Sequence, residues 1–177
     1  IALPTAIVGL PLGADIIRLL FGQEYMPAAG SFQVLLLTLL IIFPSVIVSN
    51  ALLSFNEQKK FIRFSLIGAI GNVIFNFLLI PYLGIIGCAI STLIAQIFAN
   101  GFIWKKMDGI MNFEIFNKLW KIAGASFASA IVAIFLQFFH WPVLLIILTA
   151  AIAYLLILYA FNEKVLHNIF NLLKPQF

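Results

Sequence analysis

The chain has 177 residues, of which 64% are hydrophobic and only 9% are charged, with a mean hydropathy of +1.16. Soluble domains carry about 25% charged residues, so this composition excludes an ordinary soluble domain and places the chain in a lipid bilayer. The formal net charge of +4 would suggest nucleic-acid binding in a soluble protein, but here the cations lie between long apolar runs. We therefore interpret the charge as a topology signal and expect no nucleic acid among the partners.

The chain opens on Ile1 and an apolar run, without the basic start and small-residue cleavage site of a signal peptide. We therefore expect it to be the C-terminal piece of a longer protein. Residues 1–21 predict a first span, or the outer part of one truncated at its N-terminus, that prolines and glycines make irregular. The next loop, 23–27, contains Glu24 and no cation. Residues 28–55 predict a second span that is kinked where Pro44 removes a backbone N–H.

Residues 61–106 organise the rest of the topology. Two apolar runs, 61–80 and 84–104, are each close to the length of about 20 residues that an α-helix needs to cross the hydrocarbon core. The uncharged break at 81–84 is too short for a soluble domain, so the runs predict a transmembrane hairpin whose basic ends share one side. Because cytoplasmic loops are rich in Lys and Arg, that side is predicted to be the cytoplasm.

The remaining residues predict two further spans. Residues 105–121 alternate apolar and charged side chains, which is typical of a short helix in the membrane interface, and the next spans are 119–139 and 143–161. Of the 10 Lys and Arg residues, all but Arg18 then fall on the cytoplasmic side. The predicted fold is all-α: a polytopic membrane bundle of about six transmembrane helices over 1–161, with a cytoplasmic interfacial tail over 162–177. The expected location is the inner (cytoplasmic) membrane, with the C-terminus in the cytoplasm.

Side-chain amides inside the spans are the candidate lining of a substrate cavity: Asn50, Asn72, Asn76, Gln96 and Asn100. Residues four apart share one helix face. An amide without partners in hydrocarbon costs several kcal/mol, so these faces must meet other helices or water. Two interpretations remain open, namely hydrogen bonding between packed helices and the lining of a hydrated cavity. A neighbouring row of small residues predicts close helix packing: Gly87, Ser91, Ala95 and Ala99.

The charged candidates fall into two groups. Asp15 and Arg18, at i,i+3 near the outer end of the first span, predict an interfacial ion pair or a cavity or coupling role. Lys59, Lys60 and Arg63 are interpreted as topology determinants or as an attractor for lipid phosphates. Cys88 is the single cysteine, which excludes an internal disulfide framework. No catalytic motif is present, so we expect no enzyme activity, no metal and no cofactor.

Three segments resemble the C-terminal half of the polysaccharide flippases: residues 15–25 (DIIRLLFGQEY), 68–76 (GAIGNVIFN) and 79–92 (LIPYLGIIGCAIST). These flippases belong to the multidrug/oligosaccharidyl-lipid/polysaccharide exporter superfamily and include the O-antigen and capsule repeat-unit transporters. The resemblance covers most of residues 1–106, whereas 107–177 agree only in span number and charge placement.

The resemblance implies one lobe of a MATE-like transporter with two six-helix lobes, a central cavity and alternating access. The implied partners are a polyprenyl-pyrophosphate-linked oligosaccharide, membrane lipids and the missing N-terminal lobe. The chain departs from this pattern because no Lys or Arg lies deep in its predicted spans to bind the pyrophosphate. We therefore expect the main phosphate-binding cations in the missing lobe.

Three alternatives remain open at this point. A multidrug/cation antiporter of the same superfamily would more often carry intramembrane carboxylates, and here only Asp15 is present. A membrane enzyme of polysaccharide assembly, such as a polymerase or acyltransferase, would need large polar loops. A non-transporting scaffold would not need amide-lined faces.

Overall fold

The computed structural model describes residues 2–108 and 119–160, which form five α-helices and no β-strand. These are α1 (Ala2–Phe21), α2 (Ala29–Ser54), α3 (Gln58–Asp108), α4 (Leu119–Phe138) and α5 (Val143–Ala160), with a 3-10 helix at Gln23–Ala28. All five are long and apolar enough to cross a membrane. The predicted all-α membrane bundle is confirmed. The predicted tail and most of the predicted interfacial helix lie outside the described residues.

Helix α3 is two spans joined at one residue. Its 51 residues would extend about 75 Å if straight, more than twice the hydrocarbon thickness. The helix breaks at Gly84, where φ is 56° and ψ is −134°. The Phe64 and Phe102 rings stack with centroids 5.7 Å apart, so the arm before Gly84 (58–83, the first arm) runs antiparallel to the arm after it (85–108, the second arm). The described helices therefore provide six apolar segments long enough to cross a bilayer, the number predicted.

The turn of this hairpin is tighter than the four-residue break expected at 81–84. The chain stays helical through Pro81, and only Gly84 leaves helical geometry. Glycine allows the reversal because it has no Cβ to clash at positive φ. A Cβ on Gly87 would lie 2.6 Å from the carbonyl oxygen of Leu79, so the two backbones meet directly after the turn.

Two other helix ends close in left-handed conformations. Asn56 has φ 58°, and the N–H groups of Asn56 and Glu57 donate to the carbonyls of Leu53 and Leu52 at 3.1 and 3.2 Å. This is the Schellman arrangement, which satisfies carbonyls at a helix C-terminus and reverses the chain quickly. Helix α3 consequently begins at Gln58, so the connection is shorter than the gap between the predicted spans 28–55 and 61–80. His140, with φ 56°, ends α4 in the same way.

The helices pack in two groups that α2 connects. Helix α2 packs on the α3 hairpin, and α1 packs on α2, α4 and α5; the described part of α3 meets the other helices chiefly through α2. One buried cluster joins α1, α4 and α5 and contains Leu12, Ala133, Ile146 and Ala150. The other joins α2 to the second arm and contains Val48, Leu52, Ile103 and Met107. The fold therefore leaves two inter-helix spaces, one on each side of α2.

The outer surface of the bundle is apolar. Large side chains such as Phe77, Phe138 and Tyr159 are 79%, 78% and 74% exposed. Such a surface would promote association in water, but in a bilayer it contacts lipid chains. Because neighbouring crossings alternate in direction, the turns at Gly22, Gly84 and His140 lie at one end of the bundle. The Lys-rich turn between α2 and α3 lies at the other.

Candidate functional site

A polar cavity of about 680 Å³ lies between α2 and the two arms of α3. Four of the five predicted amides line it: Asn50, Asn72, Gln96 and Asn100. Hydroxyl groups add to the lining through Ser45, Ser49 and Ser65, and the remaining walls are mainly apolar. The cavity therefore combines an apolar body with a small number of hydrogen-bonding groups, as small-molecule sites generally do.

Small residues bring the two arms of the hairpin close enough to form one wall. A Cβ on Gly68 would lie 2.5 Å from the Cβ of Ala99, a distance that real side chains do not reach. With the two arms this close together, the Asn72 amide donates to the Thr92 hydroxyl at 3.3 Å. The small row predicted for helix packing therefore does pack: Ala95 is 5% exposed and Ser91 is fully buried.

On the first arm, the amides form a short hydrogen-bonded chain. Asn76 Nδ2 donates to Asn72 Oδ1 at 2.6 Å, and Asn72 Nδ2 donates to Thr92, which donates to the Cys88 carbonyl at 3.0 Å. Asn76 does not line the cavity. Its Oδ1 is buried without a hydrogen-bond partner in the described part of the chain. Asn76 therefore lies outside the cavity and positions the Asn72 side chain through this hydrogen bond.

On the second arm, Gln96 and Asn100 pair through one turn of helix. Asn100 Nδ2 donates to Gln96 Oε1 at 2.7 Å and to the Gln96 carbonyl at 2.9 Å. This leaves the Gln96 amide nitrogen and the Asn100 side-chain oxygen without partners among residues 2–108 and 119–160. Both residues line the cavity, so one donor and one acceptor remain for a ligand or water.

A hydrogen bond between two residues that were not predicted as site residues links α2 to the second arm, and one of them, Ser45, lines the cavity. Trp104 Nε1 donates to Ser45 Oγ at 3.0 Å and ties the second arm to α2. The available signal was the i,i+4 spacing of Ser45 and Ser49, which places two hydroxyls on one face of α2. Hydroxyls are common in membrane helices, so this spacing alone does not distinguish a cavity from ordinary packing.

A basic pocket of about 540 Å³ lies at the turn between α2 and α3, at the Lys-rich end of the bundle. Its lining contains all three predicted lipid-phosphate candidates, Lys59, Lys60 and Arg63. The Lys60 ammonium donates to the Glu57 carboxylate, and this hydrogen bond lowers the pKa of Glu57 below its ordinary value. Lys59 and Arg63 have no ion pair with a described residue, so they are the cations left for an anion.

Asp15 lies at the opposite end and borders neither the polar cavity nor the basic pocket. Its carboxylate accepts a hydrogen bond of 2.6 Å from Gln137 Nε2 of α4, while Arg18 Nη1 lies 4.0 Å away. The predicted ion pair is therefore present but long, and the shorter contact is to a residue 122 positions away in sequence. The arrangement ties α1 to α4 near the ends of both helices.

No cluster of three or more His, Cys, Asp or Glu side chains with metal-site geometry occurs among the described residues. The polar groups of the cavity are neutral amides and hydroxyls. Neutral amides and hydroxyls suit recognition of a hydrogen-bonding solute, whereas metal ions bind preferentially to carboxylates, imidazoles and thiolates.

The sequence matches no family model, and no solved structure matches it. It is 33% identical over 121 residues to an uncharacterized membrane protein of Methanocaldococcus jannaschii. The match covers 68% of this chain but only 24% of that relative, so the chain spans about a quarter of the relative's length. Together with five helices that can cross a bilayer, this similarity supports a multi-pass membrane protein.

Proposed function

We propose that this chain is one lobe of a flippase that moves polyprenyl-pyrophosphate-linked oligosaccharide across the cytoplasmic membrane for cell-surface polysaccharide synthesis. The single observation that carries the proposal is the polar cavity between α2 and the α3 hairpin, with Asn50, Asn72, Gln96 and Asn100 in its lining. The proposed partner lobe is the N-terminal part of the same protein, and transport proceeds by alternating access.

The chemistry of the cavity fits a sugar better than a cation. Sugar hydroxyls are both donors and acceptors, and a side-chain amide supplies both kinds of partner. A sugar that leaves water must recover its hydrogen bonds, because an unsatisfied polar group in hydrocarbon costs several kcal/mol. Among the described residues, the cavity lining contains no Asp or Glu to attract a cationic drug. The lipid tail can stay in the bilayer during transport.

The basic pocket supplies the proposed orientation. With the Lys-rich end in the cytoplasm, Lys59 and Arg63 lie on the side where lipid-linked precursors are made. Their charges would draw the pyrophosphate group toward the mouth of the cavity. Lys60 contributes less because Glu57 already partners it.

Reconstitution of the full-length protein tests this function. Proteoliposomes receive polyprenyl-pyrophosphate-linked oligosaccharide with a fluorescent sugar, and the measured quantity is the fraction that an external glycosidase can cleave over time. We expect transport by the wild-type protein and a loss of about tenfold or more in Gln96→Leu, since an unmade hydrogen bond of about 1.4 kcal/mol corresponds to tenfold.

Gln33→Leu is the matched control, because Gln33 is an intramembrane amide outside the polar cavity that donates to the Leu10 carbonyl at 2.8 Å. This variant should retain transport. Equal rates in wild type and Gln96→Leu would remove the cavity from the transport path. Movement of organic cations without movement of lipid-linked sugar would identify the protein as a multidrug exporter instead.

A further inference from the structure

A second cavity, of about 410 Å³, lies on the other side of α2 from the polar cavity, between α1, α2, α4 and α5. Its lining is almost wholly apolar and includes Val8, Ile16, Phe32 and Ile147. We call it the apolar groove. The two cavities share no lining residue, so the groove is not an extension of the site described above.

The exposed part of the apolar groove, its mouth, lies along α1 and α5. Thr5 and Ala151 are exposed there, and Leu155 is 49% exposed. At its floor, Leu36 is 7% exposed and Gly9 is buried, and a Cβ on Gly9 would lie 2.9 Å from Leu36 Cδ1. Both flanking helices are long and apolar enough to cross a membrane, and Ala151 lies near the middle of α5, so this mouth lies at the depth of the bilayer interior and not at either end of the bundle.

The polar groups in the lining of the groove leave little for water to bind. The Ser129 hydroxyl donates to the Ser126 carbonyl at 2.9 Å, and Thr5 also has a partner. Of the polar side chains that line the groove in the described part of the chain, that leaves the Tyr154 hydroxyl. An ordered water needs two to four polar partners, and apolar cavities of this kind stay dry and accept apolar ligands instead.

We propose that the apolar groove binds one hydrocarbon chain of a bilayer phospholipid, held between α1 and α5 as a structural lipid. The medium at the mouth of the groove is lipid hydrocarbon, and an empty groove would leave its walls without contact partners. The chain of a transport substrate is a poorer candidate. A substrate in the polar cavity lies on the α3 side of α2, whereas the groove lies among α1, α4 and α5. The proposal does not depend on the proposed transport function.

Native mass spectrometry of the full-length protein, purified in mild detergent, tests the proposal. We expect wild-type protein to retain one phospholipid after washing that removes surface lipid. Ala151→Phe fills the mouth of the groove and should lower the retained fraction roughly tenfold, corresponding to about 1.4 kcal/mol of binding free energy. Ala160→Phe makes the same change at an exposed position of α5 outside the groove and should retain the lipid.

A second matched pair of variants controls for the case in which Ala151→Phe lowers lipid retention by disturbing the fold. Leu155→Trp should displace the lipid, whereas Leu156→Trp, at a neighbouring site that is 63% exposed and outside the groove, should not. The proposal is overturned if wild type retains no lipid or if both filled variants retain it as wild type does. It is also overturned if the retained molecule is polyprenyl-linked, or if crosslinking shows another segment of the protein in the groove.

Discussion

Gly84 is the residue at which the longest helix reverses direction. It has φ 56° and ψ −134°, a backbone conformation that residues with a Cβ rarely adopt. A Cβ at this position would meet no atom within 4 Å. The requirement for glycine at the turn is therefore conformational and does not come from crowding.

We expect Gly84→Ala to lower the free energy of unfolding by about 1–3 kcal/mol, the cost of holding a residue with a Cβ in a sparsely populated backbone region. Gly71→Ala is the control, because Gly71 is helical and a Cβ there also meets nothing within 4 Å. That change should be neutral or stabilise by about 0.5–1 kcal/mol through higher helix propensity. Denaturant titration in bicelles measures both. Equal effects of the two substitutions would contradict the conformational explanation.

The α3 hairpin is the element that forms most of the polar cavity. Its arms approach at Gly68 and Ala99, and aromatic pairs such as Phe75 and Phe98, with ring centroids 6.5 Å apart, continue the contact toward the turn. The Asn72–Thr92 hydrogen bond joins the same two arms. The position of the Asn72 amide therefore depends on the small residues Gly68 and Ala99, whose side chains take no part in the hydrogen bond.

Gly68→Ala should destabilise the hairpin by about 1–3 kcal/mol, because the new Cβ would lie 2.5 Å from that of Ala99 and force the arms apart. The double variant Gly68→Ala/Ala99→Gly moves the methyl group to the other arm and should recover much of the loss. Gly101→Ala, where a Cβ meets nothing within 4 Å, serves as the control. The measurement is the free energy of unfolding by steric trapping. Failure of the double variant to recover stability would show that the contact is not the cause.

At the scale of the whole molecule, the six apolar helical segments alternate in direction and place the described Lys and Arg residues other than Arg18 at one end. Lys106 lies near Glu57, and its charge helps to lower the pKa of that carboxyl. This brings the ends of both α3 arms to one face of the bundle. The Asp15–Gln137 hydrogen bond joins α1 and α4 near the opposite face. The described part of the chain thus has one basic face and one face with few charges, the asymmetry that the positive-inside rule describes.

Cysteine accessibility in the full-length protein tests which face is cytoplasmic. In a Cys88→Ala background, Tyr82→Cys and His140→Cys should react with a membrane-impermeant maleimide added to intact spheroplasts. Gln58→Cys should react only after permeabilisation, because it lies at the Lys-rich turn. Labelling of all three positions from the same side would contradict the six-crossing topology. Labelling of Gln58→Cys alone in intact cells would invert the orientation.

Much of the architecture was predictable because it follows from local properties of the sequence. The bilayer thickness fixes the length of each apolar run, and unpaired backbone groups are not tolerated in hydrocarbon, so each run becomes a helix. The hairpin in α3 and the clustering of cations followed from these constraints. The exact first and last residues of the turns were not predictable from these constraints, because proline can occupy the last turn of a helix and a single glycine can reverse the chain.

The tertiary structure decided which side chains are in contact with each other. Asn72 and Asn76 share a face of the first arm, yet only Asn72 lines the polar cavity. The nearest hydrogen-bond partner of Asp15 is Gln137, which no spacing rule connects to it. Helical periodicity fixes the direction of a side chain relative to its own helix. Its neighbours on other helices depend on where the helices cross, and small residues such as Gly9 and Gly68 set those crossings through non-local contacts.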